Sequence, residues 1–208
     1  MIPRLLHFVW VGPPMPDTFA DYIAGWRSLH PDWTVKVWGD DDLTWLTNQA
    51  VYDRAELVAG DHAGQLRSDI ARYEILHRHG GVYVDCDMEP RRPIDALLDA
   101  ELFAAWETDG VWVNNAVMGS RHGHPLLAEM IQALPASVIR HRRKRPNHMT
   151  GPRFLTPLIR DRVDVTLLPS ATFYPYRWDE LDRRHDDHGD AYAVHHWNNA
   201  HRRAGLSV

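Results

Sequence analysis

The stretch HAGQLRSDIARYEILHRHGGVYVDCDME, residues 62–89, decides the fold. Its first part repeats apolar residues at helical spacing, with Leu66, Ile70, Tyr73 and Leu76 or Ile75 on one face. Gly80 and Gly81 stop that helix with the left-handed cap that glycine adopts at no steric cost, and His77 and His79 stand near its negative end. The chain then enters VYVDCDM, an apolar run of strand length ending in Asp85 and Asp87. Unpaired charge inside a fold is costly. Two acids at the end of a buried strand therefore call for a partner.

The same alternation of helix and strand extends both ways. Upstream, RLLHFVWVG reads as a strand and PDTFADYIAGWRSLHP as a helix with Phe19, Ile23, Trp26 and Leu29 on its inner face. Asp17 is its expected N-cap and Pro31 its stop. WTVKVWG reads as a second strand, and DDDLTWLTNQAVYDRAEL as helical with a break near Asn48. Downstream, LFAAWET and VWVNNAVMGS read as strands, HPLLAEMIQALP and GPRFLTPLIRDR as helices. VTLLPSATFYPY and AYAVHHW supply late strands. The pattern predicts an α/β fold, residues 1–208 forming one domain around a mainly parallel central sheet flanked by helices. Such sheets bind ligands outside the carboxyl ends of their strands, where Asp85 and Asp87 stand.

Composition narrows the partners. A formal net charge of -5 gives no sign of nucleic-acid binding. With Cys86 the sole cysteine, no internal disulfide forms, which fits a reducing compartment. The N-terminal apolar run is broken by Arg4 and His7, too short to span a membrane and without a signal-peptide cleavage pattern. A cytoplasmic protein is expected. The basic run RHRRKRP at 140–146 reads as a solvated helix end, with a peripheral membrane contact or an anionic acceptor as the minority reading. The charged segment at 179–190 reads as a mobile loop. Oligomeric state is not legible.

In a strand that persists to Asp87, Tyr83, Asp85 and Asp87 share one face. Two carboxylates there make a hard oxygen site suited to Mg²⁺ or Mn²⁺ carrying phosphate. Alone, an Asp-x-Asp triplet reads as a polar turn closing a strand, both acids solvated. Asp69 and Arg72, three apart on the preceding helix, share a face and are delivered by the glycine cap to the same side of the sheet. An isolated helical ion pair explains those two residues but not the whole block.

That block, SDIARYEILHRHGGVYVDCDME, resembles the core of the family 32 glycosyltransferases, which transfer sugars through an Asp-x-Asp motif. The group includes fungal mannosyltransferases and is similar to the sugar-transferring domain of large clostridial toxins. The family pattern S-D-x-x-R-x-x-x-L-x-x-x-G-G-x-Y-x-D-x-D is met by Ser68, Asp69, Arg72, Leu76, Gly80, Gly81, Tyr83, Asp85 and Asp87. IPRLLHFVWVG, HPDWTVKVWGDDD, VNNAVMGSRHGHP, TGPRFLT and YAVHHWNNA resemble further family segments. At Ala200-His201 the chain departs from the family's Ser-Trp.

The resemblance implies a GT-A, Rossmann-like domain and transfer from a nucleotide-sugar donor with retention at the anomeric carbon. It assigns the divalent metal, Mn²⁺ or Mg²⁺, to Asp87 and Asp85 with one of His195 or His196, His196 being preferred. It assigns sugar hydroxyls to Asp69 and Arg72, the donor pocket to Ser68 and Tyr83, and the base to Trp10. Asn114 or Asn115 approaches the sugar or the attacked carbon. The block holds no second carboxylate for a covalent intermediate, so a front-face substitution is expected, the leaving phosphate helping to deprotonate the acceptor. The acceptor is expected to be a small molecule or glycan precursor. Two other functions compete: a glycoside hydrolase using Asp85 and Asp87, and a non-catalytic sugar-nucleotide binder.

Overall fold

A computed structural model of the protein describes residues 1–142 and 144–198. Ala200-His201 and Arg143 of the basic run lie outside the described residues. Eight strands and seven helices are used here: β1 (Leu5–Val9), α1 (Asp17–Leu29), β2 (Thr34–Trp38), α2 (Gln49–Asp53), α3 (Ala55–Ala59), α4 (Ala63–His79), β3 (Gly81–Val84), β4 (Met88–Pro90), β5 (Leu102–Thr108), β6 (Trp112–Ser120), α5 (Pro125–His141), α6 (Pro146–Met149), α7 (Pro152–Ile159), β7 (Thr166–Leu168) and β8 (Ala193–His195).

Six strands form the central sheet in the order β2-β1-β3-β6-β5-β7. All neighbouring pairs are parallel except the two made by β6, so β6 alone runs against the others. The α/β expectation therefore holds. Strand alternation sorts the core into two layers. Tyr83, Leu102, Ala104 and Met118 pack with α4 and α5 on one face. Val82, Val84, Phe103, Ala105 and Val117 pack with α1, Phe173 and Tyr174 on the other.

The junction between α4 and β3 aligns the site. Gly80 closes α4 at φ 65°, its N–H donating to the Leu76 carbonyl at 2.8 Å. Gly81 follows at φ 95°, and a Cβ there would lie 2.7 Å from the Leu5 carbonyl oxygen and 2.9 Å from His7 Nε2. Gly81→Ala combines a left-handed backbone with a clash against the neighbouring strand. We expect it to cost at least about 2 kcal/mol, read as a lower urea midpoint. An unchanged midpoint would show that the junction relaxes freely.

Several elements differ from the sequence reading. Helix α1 begins after Pro16, with Asp17 already in its first turn, and no side chain caps it. Helix α5 does not stop at Pro135 but runs through it to His141. The apolar stripe continues past the proline with the buried Val138, and Ser137 Oγ donates to the Met149 carbonyl at 2.7 Å. That packing offsets the missing N–H. Arg140 consequently sits exposed in the last helical turn. The segment read as a mobile loop contains a 3₁₀ turn, Leu181–His185, and its His188 is buried, stacked on Tyr176 at 5.5 Å.

The largest difference concerns the acidic tip. Strand β3 ends at Val84, so Asp85 and Asp87 do not share a strand face. Asp85 N–H still donates to the Ala116 carbonyl at 2.8 Å, which keeps it at the sheet edge. The Met88 N–H then donates to the Asp85 carbonyl at 3.1 Å, turning the chain out of the sheet. It enters β4, which pairs antiparallel with β8 in a separate ribbon, Met88 opposite His195. Trp26 Nε1 donates to the Met88 carbonyl at 2.9 Å and fixes that ribbon to α1. Among the described residues, no helix is long and apolar enough to cross a membrane.

Candidate active site

Asp69 and Arg72 sit in the middle of α4, almost fully buried at 2% exposure each. Arg72 Nη2 lies 3.0 Å from Asp69 Oδ1 and 3.1 Å from Asp85 Oδ1, so one guanidinium joins helix and strand end. Its Nη1 donates to the Asn115 carbonyl and its Nε to the Ser68 carbonyl at 3.3 Å. The Tyr83 ring supports it from below, 4.4 Å from ring centre to guanidinium carbon. Asp69 also accepts from Thr150 Oγ1 at 2.7 Å and from Asn115 Nδ2 at 2.9 Å. Burial pushes its carboxyl up to about 6, with Arg72 and Thr150 opposing, so it is mainly ionised at neutral pH. The sequence spacing of Asp69 and Arg72 thus marks a buried network rather than a surface pair.

The turn after β3 brings a second group together. Asp85, Asp87 and His195 each offer a ligand atom, all within 4.8 Å of one another. Tyr83 OH donates to Asp85 Oδ1 at 2.7 Å. His195 Nε2 lies 3.2 Å from Asp87 Oδ1, and the Asn198 N–H donates to Asp87 Oδ2 at 3.1 Å. The two carboxyls are driven apart. Burial pushes Asp85 up, opposed by Arg72 and reinforced by Asp87. Burial acts on Asp87 in the same sense, but His195 and the Asn198 N–H outweigh it and hold it low. His195 in turn is raised, Asp87 outweighing its burial.

His196, the residue preferred from the sequence, is placed elsewhere. Its Nε2 meets Glu89 Oε2 at 2.8 Å and its ring stacks on Tyr22 at 5.3 Å. His196 N–H donates to the Asp87 carbonyl, so the two backbones lie opposite each other, but Asp87 precedes β4 in the turn and its carboxylate meets the neighbouring ring, His195. The structure brings His195 to the aspartates instead.

The metal-ligand chemistry fits these residues. Two carboxylates and one imidazole are a donor set for Mn²⁺ or Mg²⁺. His195 presents Nε2 to Asp87, while its Nδ1 is buried without a hydrogen-bond partner among the described residues.

A family profile described as "Glycosyltransferase sugar-binding region containing DXD motif" matches residues 16–104. That span contains Ser68, Asp69, Arg72, Tyr83, Asp85 and Asp87. Over those residues this chain is similar to the sugar-binding region of the DXD glycosyltransferases.

Inositol phosphoceramide mannosyltransferase 3 of Schizosaccharomyces pombe is 29% identical over 170 residues, covering 74% of this chain and 44% of that protein. The chain spans about half the length of the curated relatives it matches. The solved structure of the PaToxG glycosyltransferase superposes with a TM-score of 0.63 at 14% identity, covering 76% of this chain and 68% of that one. The UDP-bound glycosyltransferase domain of the YGT toxin superposes at 0.57 with 11% identity, covering 80% and 79%. At those identities the likeness shows the fold, and the GT-A expectation holds.

The remaining candidate residues divide by face. Trp10 follows β1 at the carboxyl edge, half-buried, its Nε1 donating to the Pro13 carbonyl at 2.6 Å and its ring edge-on to Phe19. The Ser68 hydroxyl turns back to the Gly64 carbonyl at 2.7 Å. Asn114 and Asn115, adjacent on β6, point to opposite faces. Asn115 holds Asp69. Asn114 Nδ2 instead donates to Glu107 Oε2 at 2.7 Å. Glu107 was not singled out in the sequence. Its signal was there: LFAAWET is an apolar strand whose carboxyl end carries an acid, the pattern that flagged Asp85. Cys86 is buried, its thiol 3.5 Å from the Val9 carbonyl, as a core residue.

Proposed function

We propose that this protein transfers a hexosyl group from a nucleotide-sugar donor to a hydroxyl acceptor, with retention and with a divalent cation at Asp85, Asp87 and His195. One observation carries the reading. The acid turn with its histidine lies beside the buried Asp69–Arg72 network at the carboxyl edge of a glycosyltransferase fold, joined through Arg72.

When bound, the cation neutralises diphosphate oxygens and stabilises charge developing on the leaving oxygen. The chain's own residues do the rest. Arg72 clamps Asp85 and Asp69 in fixed geometry, so neither acid reorganises on donor entry. Asp69 keeps acceptor capacity for a donor-sugar hydroxyl beyond the bonds from Thr150 and Asn115. Trp10, at the open end of β1, offers a ring to the base. His195 and Asp87 set each other's charge and rotamer. Attack on the same face as the departing diphosphate gives retention, the diphosphate taking the acceptor proton. Trapping a glycosyl group on a side chain during turnover would rule that route out.

The relatives named as mannosyltransferases make mannose the first sugar to test. GDP-mannose, UDP-glucose, UDP-galactose and UDP-N-acetylglucosamine are each incubated with Mn²⁺ and protein, and released nucleotide is measured. Release from at least one, abolished by a chelator, is expected. Metal-independent cleavage of a simple glycoside, with no donor turned over, would favour the hydrolase reading instead.

A further inference from the structure

Beyond the metal acids and Asp69, another carboxylate stands at the same edge. Glu107 lies at the carboxyl end of β5, which runs parallel to β3 with β6 between them. Two strand spacings separate β3 from β5, about 10 Å. That distance leaves room for a sugar ring between Glu107 and the acid turn. The register shift between Trp106 and Thr108 marks a bulge at Glu107, a device that re-aims a side chain at a sheet edge.

The environment of Glu107 is built, not incidental. Asn114 Nδ2 fixes one carboxylate oxygen, Oε2, and Asn114 Oδ1 accepts the Ala116 N–H at 2.8 Å, so the clamp itself is anchored. No salt bridge engages Glu107 among the described residues. The residue is half-buried. Burial pushes its carboxyl up, against the Asn114 hydrogen bond and the charges of His195, Arg177 and Arg153, which face it from β8, the segment after Tyr176 and the start of α7. The adjacent asparagines thus serve two acids on opposite faces of β6, Asn115 the donor-side Asp69 and Asn114 this one.

We propose that Glu107 is an acceptor-positioning residue, whose free carboxylate oxygen accepts a hydrogen bond from the hydroxyl compound that attacks the donor sugar. This rests on the transferase reading above. The acceptor oxygen bonds to the anomeric carbon as the carbon–oxygen bond to the diphosphate breaks. The electron pair leaves with the diphosphate, and the attacking hydroxyl's proton goes to a diphosphate oxygen. Glu107 takes no proton in the step. It holds the second hydrogen of an attacking water, or a neighbouring hydroxyl of a sugar or other polyol.

Water serves as the probe acceptor. Hydrolysis of GDP-mannose and UDP-glucose with Mn²⁺ is measured for wild type, Glu107→Ala, Glu107→Gln and Asp87→Asn, alongside calorimetric binding of GDP and UDP with Mn²⁺. Glu107→Ala should slow nucleotide release by about 10- to 100-fold while nucleotide affinity stays within about twofold. Glu107→Gln, which keeps the shape and a carbonyl acceptor, should fall between it and wild type. Wild-type hydrolysis by Glu107→Ala, nucleotide affinity falling in step with the rate, or a glycosyl adduct on Glu107 would each overturn the proposal. If Asp87→Asn is inactive while Glu107→Ala is not, the transferase reading stands and the acceptor role falls. If Asp87→Asn keeps full turnover, both fall.

Discussion

Asp87→Asn should lower donor turnover by at least about 10²- to 10³-fold with the fold intact. The substitution keeps size and leaves an oxygen to accept the Asn198 N–H, now at 3.1 Å from Oδ2. It removes the charge that His195 faces at 3.2 Å and that a divalent cation would need. His195 loses the partner that raises it, so its ring becomes neutral over more of the pH range. The checks are steady-state release of nucleotide and a thermal melt of the same sample. Retained turnover with an unchanged melting temperature would remove Asp87 from the site.

Arg72→Ala should produce the largest loss of stability. The guanidinium is buried and joins Asp69, Asp85 and the Asn115 carbonyl. Its removal leaves the Asp69 carboxyl 2% exposed and without the cation that opposes its burial. Breaking a buried pair by removing one partner costs about 3–5 kcal/mol. For a chain of this size that is a fall in melting temperature of about 10 °C. Arg72→Lys separates charge from geometry. A single ammonium point cannot span Asp69, Asp85 and a carbonyl together, so it should recover part of the stability and little of the turnover. Removing both charges with Asp69→Asn and Arg72→Met should cost less than the sum of the single changes, because Asp69 is then no longer a buried acid without its cation. Full additivity in that cycle would mean the two residues do not interact.

These two predictions rest on a block that could be read directly from sequence. The helix from 63 to 79, its glycine cap and the strand after it are local features, set by helical spacing and by two residues with positive φ. The α/β class followed from the same alternation. What local pattern could not supply was anything fixed by distant pairing. Whether β3 continues to Asp87 depends on β4 finding β8, more than a hundred residues away, and that pairing turns the chain. The choice between His195 and His196 is likewise fixed only where the end of β8 meets the turn that carries Asp87. Glu107 was passed over because an acid ending a strand is ordinary until the order β3-β6-β5 puts it on the edge that Asp85 occupies. Helix α5 outlasting Pro135 reflects the apolar stripe beyond it, which packing rewards more than proline penalises.

The central claim is that Asp85, Asp87 and His195 hold a divalent cation with a nucleoside diphosphate. Its most direct test is electron paramagnetic resonance of Mn²⁺ titrated into the protein with GDP or UDP present, for wild type, His195→Ala and His196→Ala. The account predicts one bound Mn²⁺ in wild type, weaker binding in His195→Ala and wild-type binding in His196→Ala. Undiminished binding in His195→Ala, loss in His196→Ala, or no uptake by any of the three would contradict it.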